Sequence, residues 1–539
     1  MYSAAKETDP LLPAYEPAPE IGGNKHHHSI EISDSQDQYE SVESASDYNQ
    51  NQPYPHHLHN PTSRRRNDED DEDGTSPNPI TSAMGRIFQT VFLFLFAVVF
   101  LAVAVSVFRT PSSDDDRQPP IDGSPRPPTT PEPRTIKERV NAILTSTPLI
   151  DGHNDLAIFI RSQYKNNITS PKFGSEFENG SMPLNVDLPR LRAGKAGGAF
   201  WSSFVVCPVN ASYDMTDVNY ATAVSHTHEQ IDLLRRLQAQ YPRDFTTSTT
   251  IRPEMLTQWH ATRALFGPIS IEGLHQVPPT APMSTLRSYY TLGVRMATLT
   301  WNCHNPFADA SLVFNSLTSP PIVVNSEFRP HEGAVTTRGR AVIREMNRLG
   351  MIIDISHTSY WTQRAVLTNS TSRAPVVFSH SSAYTLCPHP RNVKDDILDL
   401  VKQTRSLVMV NFSPAFISCT SDPAAASDAK FSIPKFFPQN STLHQVARHI
   451  TYIGARIGYD HVGIGSDFDG MGTETPRGLD GVDKFPDLVA ELLRMGVSDT
   501  DARKIVGGNI LRVWGDVDEM AARMKAQGVE PGVDDASGY

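Results

Sequence analysis

The sequence predicts an α/β fold: a (β/α)8 barrel of the TIM type, preceded by a disordered tail and a single transmembrane helix. Three observations point there. Apolar runs of strand length recur eight times between residues 135 and 520, with helical segments between them. Residues 87–108 carry no charge. Several of the eight runs end in polar residues that match one another in kind.

Residues 1–86 are poor in aliphatic clusters and rich in Ser, Asn, Gln, Pro, His and acids. Such a segment buries too little apolar surface to offset its ordering entropy, so a disordered tail is expected. The formal net charge of −12 argues against nucleic acid as a partner. In 87–108 only Gln89, Thr90 and Ser106 are polar. At about 1.5 Å per residue the segment spans the hydrocarbon layer of a bilayer. Arg64, Arg65, Arg66 and Arg86 precede it and Asp114, Asp115 and Asp116 follow. The positive-inside rule then gives a single-pass type II anchor, with the C-terminal part extracellular or lumenal, at the plasma membrane or the vacuole. Residues 109–134, rich in Pro, Ser and Asp, read as a stem.

Beyond the anchor, N-x-[ST] sequons stand at Asn167, Asn179, Asn210, Asn369, Asn411 and Asn440, and none precedes it. All four cysteines, Cys207, Cys303, Cys387 and Cys419, also lie there. An even number in an exported domain predicts two disulfides, and the absence of Cys-x-x-Cys spacing disfavours a zinc–thiolate site.

The eight strand-like runs are Pro148–Ile150, Ala199–Val206, Gly267–Ile271, Arg295–Leu299, Met351–Ile355, Pro375–Phe378, Leu407–Val410 and Val462–Ile464. Amphipathic stretches such as Gly339–Leu349 and Phe485–Met495 separate them. A doubly wound open sheet is the alternative, disfavoured because no G-x-G-x-x-G follows the first run. The barrel is expected over 135–520, with a polar tail over 521–539.

In such a barrel, functional groups collect at the C-terminal ends of the strands. The first run leads into His153 and Asp155, which alternation would place on one face. The third ends at Glu272, the fifth at His357, the sixth at His380, and the eighth at Asp467 and Asp469. Three histidines and several carboxylates on one rim are costly to desolvate without a cation among them. A pair of divalent ions, zinc foremost, is the simplest balance.

The segments D-G-H-N-D-L, E-G-L-H, L-T-W-N-C-H-N, I-D-I-S-H, F-S-H-S-S-A, R-N-V, V-N-F and G-S-D-F-D-G occur in that order. Together they resemble the membrane dipeptidase (renal dipeptidase) family of the amidohydrolase superfamily, over roughly 135–514. The resemblance implies zinc-dependent hydrolysis of dipeptides. It implies that His153, Asp155 and Glu272 hold one zinc, that Glu272, His357 and His380 hold the other, and that Glu272 bridges them. Two ions about 3.5–4 Å apart would activate a shared water and polarise the scissile carbonyl. Asp467 would then move protons, Arg391 would grip the substrate carboxylate, and Asp469 would support the site from behind. The resemblance also implies disulfides Cys207–Cys303 and Cys387–Cys419, and it suggests a homodimer.

One position departs from the family pattern: Trp301 stands after the Leu299-Thr300 pair, where a carbonyl-polarising histidine is usual. The nearest histidine is His304. Either His304 reaches in, or the metal alone stabilises the oxyanion, or activity is weakened. The alternatives in function are a related amidohydrolase acting on other small carboxylate-bearing amides, and a weakly active or non-catalytic surface binding protein that keeps the barrel.

Overall fold

Eight parallel strands form one sheet in chain order. They are β1 (Leu149–Asn154), β2 (Ala196–Ser203), β3 (Ile269–Glu272), β4 (Val294–Thr298), β5 (Ile352–Asp354), β6 (Val377–Phe378), β7 (Leu407–Val410) and β8 (Val462–Ile464). The computed structural model describes residues 134–246, 253–314, 322–324, 328–329, 331–368, 371–420 and 433–534. The expected tail, the anchor at 87–108, the stem up to 133 and the sequon at Asn369 lie outside the described residues. Among the described residues, no helix is long and apolar enough to cross a membrane.

Each strand-like run of the sequence became a strand. The alternation of side chains explains why these runs are apolar without interruption. Ile150, Phe200, Met296, Ile352, Val377, Leu407 and Met409 share one buried cluster with Ile510, Val513 and Trp514 of the last helix (Asn509–Ala526). Their immediate neighbours Leu149, Ala199, Trp201, Ile353, Phe378, Val408 and Val410 belong to the other, which the remaining helices cover. Strands buried on both faces need no polar alternate.

β2 starts three residues earlier than expected because Gly197 and Gly198 belong to it. A Cβ on Gly197 would sit 2.4 Å from Pro148 Cβ, and one on Gly198 would sit 2.7 Å from the Phe266 backbone. Glycines here mark close approach of neighbouring strands, not a turn.

The ends of the sheet meet across a parallel bridge between Asn154 and Phe468. Asp155 N donates to Phe468 O (2.9 Å) and Asp467 N to His153 O (3.1 Å). Ser466 N donates to Asp151 Oδ1 at 2.7 Å. β1 and the segment after β8 are therefore stitched together at the rim where the acidic and imidazole groups were expected.

Thr135 forms a capping box with Glu138 at the start of the first described helix of the barrel domain, Ile136–Ser146. The domain's end is not at 520. The last helix runs through to Ala526, and residues beyond it dock on the barrel. Gly532 N donates to Glu345 Oε2 (2.9 Å). The Asp534 carboxylate accepts from Met283 N (2.7 Å) and Ser284 N (3.0 Å) at the head of the helix Pro282–Leu292. Both disulfides form, Cys207–Cys303 and Cys387–Cys419.

Candidate metal and catalytic site

Glu272, the last residue of β3, divides its two carboxylate oxygens between two groups of side chains. Oε1 lies 3.0 Å from His357 Nε2 and 3.4 Å from His380 Nε2. Oε2 lies 3.6 Å from His153 Nε2, which is itself 3.3 Å from Asp155 Oδ2. All five residues are buried, none more than 7% exposed. Ligand atoms of His153, Glu272 and His380 lie within 4.8 Å of one another, as do those of His153, Asp155 and Asp467.

The route by which Asp155 joins this cluster differs from the expected one. β1 ends at Asn154, and Asp155 is the N-cap residue of the helix Leu156–Tyr164. Its side chain makes no capping bond, however, and turns toward His153 instead.

Groups behind the cluster fix which imidazole nitrogens face inward. Asp354 Oδ2 accepts from Thr298 Oγ1 and Ser379 Oγ, each at 2.6 Å. With its hydroxyl proton spent on Asp354, Ser379 Oγ accepts from His380 Nδ1 (2.8 Å). Asn302 Oδ1 likewise accepts from His357 Nδ1 (3.0 Å). Both histidines thus present a bare Nε2 lone pair to the centre. Those two nitrogens stand 2.9 Å apart, beside a carboxylate oxygen.

Converging lone pairs repel unless a cation or a proton lies among them. Burial, with Arg391 and His153 nearby, holds His357 and His380 well below the usual imidazole range, which disfavours protons as the answer. On the other side, burial opposes a charged His153, yet Asp155 and Glu272 hold it well above that range. His153 Nδ1 and Nε2 and Asp155 Oδ1 have no hydrogen-bond partner. Mixed imidazole and carboxylate donors, buried, unpartnered and mutually repulsive, fit divalent metal.

Asp467 stands at the edge of the cluster, partly exposed. Desolvation raises its carboxyl to about 6, with His153 lowering it and Asp155 raising it. Its Oδ2 accepts from Asn411 Nδ2 at 3.0 Å. An added Cβ at Gly470 would lie 2.2 Å from Asp155 Oδ2 and 2.8 Å from Asp467 Oδ1, so a bare backbone there makes room for both carboxylates. Asp469 points elsewhere: its Oδ1 accepts from Asn185 N (2.8 Å), and its own N–H donates to Asn185 Oδ1 (3.1 Å). His357, Asp467 and Asp469 all adopt left-handed backbone, with φ of 60°, 66° and 65°. Such conformations are strained for non-glycine residues and concentrate at functional sites.

Arg391 is buried, with Nη2 3.4 Å from the His380 carbonyl and Nε and Nη1 unpartnered. A buried guanidinium with free donors is ready for a carboxylate ligand. His304 sits apart from the cluster. Its Nδ1 accepts from Ala310 N (3.1 Å), and its ring stacks on Phe328 at 4.1 Å. Burial and Arg329 lower its pKa to about 3. It was expected as a substrate contact, but its described neighbours include none of the five clustered residues.

Sequence reasoning missed Asn302, Asp354, Ser379 and Asn411 as supporting groups. It read Asn411 as a glycosylation site. In the fold Asn411 is fully buried, and its Nδ2, the atom a glycan would need, donates to Asp467. That sequon is closed to modification. Asn167, Asn179 and Asn210 are exposed, and Asn440 is partly exposed.

The stretch of chain that builds this barrel is matched by a family model. Residues 137–528 fit that of the membrane dipeptidases, peptidase family M19. The chain belongs to the membrane dipeptidase family. It is 42% identical over 385 residues to the dipeptidase aclJ of Aspergillus oryzae, covering 71% of this chain and 82% of that protein. It is 40% identical over 387 residues to an uncharacterized dipeptidase of Schizosaccharomyces pombe, covering 70% and 83% respectively. Its fold is similar to a metallopeptidase from Rhodobacter sphaeroides solved with a phosphinate mimic of the dipeptide L-Ala-D-Ala. The TM-score there is 0.53 at 23% identity, over 69% of this chain and 99% of that one. As a member of this family the chain is a hydrolase of the metallopeptidase type, and the buried donor groups around Glu272 are its candidate metal site.

Proposed function

We propose that this family member is a membrane-anchored dipeptidase that works with two zinc ions bridged by Glu272. The observation carrying the reading is the division of the Glu272 oxygens between His153 on one side and His357 and His380 on the other. His153 and Asp155 would complete one set of donors, and His357 and His380 the other. When bound, the metal pair supplies polarisation of the scissile carbonyl and acidification of a water.

The chain's own residues do the rest. Asp467, partly exposed and with its carboxyl raised to about 6, takes a proton from the attacking water. It passes that proton to the leaving nitrogen as the C–N bond breaks. Asn411 holds the Asp467 carboxylate in one orientation. Arg391, its Nε and Nη1 free, receives the substrate's terminal carboxylate. A fixed guanidinium next to the scissile position limits substrates to short peptides, and dipeptides fit best. Other small carboxylate-bearing amides would satisfy the same clamp.

Residues 87–108 would anchor the protein with the barrel on the non-cytosolic side. The two disulfides support an oxidising compartment for it. Release of free amino acids from a dipeptide panel by the full chain in detergent, with and without chelator, tests the function. Hydrolysis that survives complete removal of metal would overturn it.

A further inference from the structure

We infer that Phe204 and Trp301 form an aromatic wall on the open side of the site and select dipeptides with an apolar side chain. This rests on the dipeptidase reading and extends it to a substrate class. Phe204 follows β2 and Trp301 follows β4, so both stand on the rim that carries Glu272 and His357. Whereas the clustered residues are buried, Phe204 and Trp301 are only partly so. Their rings meet edge to face at 4.8 Å, and the indole lies 6.3 Å from the His357 ring.

The wall is fixed from behind. The disulfide Cys207–Cys303 joins the two segments, three residues past Phe204 and two past Trp301. Asn302, the nearest amide, already accepts from His357 Nδ1. Arg391 and Asp467 supply the charged contacts elsewhere in the site. Exposed apolar side chains follow Phe204 in the chain, Val206 at 47% and Val209 and Tyr213 at 72% each, interspersed with the exposed Asn210 and Asp214. An indole face beside the bound substrate favours an aromatic or branched aliphatic side chain over hydrogen, by offset or edge-on contact and by excluded water.

The test uses the full chain with disulfides intact and zinc supplied, and compares kcat/KM for Phe-Gly, Gly-Phe and Gly-Gly. A preference of about ten-fold or more for one Phe-containing dipeptide over Gly-Gly is expected. Trp301→Ala should remove most of that preference, mainly through KM, and Trp301→Phe should restore most of it. Phe204→Ala should weaken it by a smaller factor. Equal kcat/KM for all three substrates, or a preference that Trp301→Ala leaves intact, overturns the wall while the peptidase stands. A wild-type chain that cleaves no dipeptide overturns the peptidase reading instead. Binding of Phe-Gly, Gly-Phe and Gly-Gly to metal-depleted protein, measured by calorimetry, then judges the wall separately by the same preference.

Discussion

Asn411 Nδ2 lies 3.0 Å from Asp467 Oδ2 and 3.4 Å from the His380 carbonyl. One buried amide therefore aligns the partly exposed acid and the end of β6. A hydrogen bond to a charged group contributes about 1.5–3 kcal/mol. Asn411→Ala should lower kcat by roughly ten-fold to a hundred-fold, with KM and bound metal little changed. Peptide mapping of the wild-type protein should find Asn411 without a glycan.

Asp467→Asn separates proton transfer from metal binding. The amide keeps the shape and can still occupy the same pocket, but it cannot accept a proton. Turnover should fall by at least about a hundred-fold, while metal content by elemental analysis stays at the wild-type value. Loss of metal would reassign Asp467 as a ligand beside His153 and Asp155.

Removing metal should destabilise the fold as well as silence it. Without cations, the bare Nε2 lone pairs of His357 and His380 face each other and a Glu272 oxygen at 2.9–3.4 Å. A ligand held at a thousand times its dissociation constant adds about 4 kcal/mol. The melting temperature should therefore drop in chelator and recover on adding zinc, in parallel with activity.

Acid should unfold the protein through a buried histidine that is not among the proposed metal ligands. His449 is buried, accepts from Ala383 N through Nδ1 (3.0 Å) and donates to Ile417 O through Nε2 (2.9 Å). Burial lowers its pKa to about 4. Below the ordinary imidazole pKa of about 6.5 the unfolded chain takes up protons that the folded chain refuses. Each such group therefore withdraws stability as pH falls from about 6.5 to about 4, at up to about 1.4 kcal/mol per pH unit. His449→Gln should be less stable than wild type at pH 7.5, and the gap should narrow at pH 4.5. Urea midpoints across that range provide the measurement.

The barrel was legible because its strands are buried on both faces, so Leu407–Val410 and Val462–Ile464 are apolar throughout. Glu272, His357 and His380 were legible for the opposite reason: polar groups ending apolar runs stand out. The supporting residues carry no such signal. Asn302 and Ser379 act on a histidine through a single hydrogen bond, and no spacing in the chain announces that. The sequon at Asn411 is a three-letter pattern blind to burial. The C-terminal boundary failed because an amphipathic helix shows polar letters on its outer face, and because Asp534 earns its place only by capping a helix distant in sequence.

The seam between β1 and the segment after β8 joins residues 315 positions apart at Asp151 and Ser466. A nascent chain holding every histidine of the cluster but not yet Asp467 lacks both the proposed proton carrier and the seam that closes the sheet. Premature termination upstream of that point should give fragments that are inert, however much of the barrel they contain. Competence is therefore expected only once the segment after β8 has been made and has closed against β1.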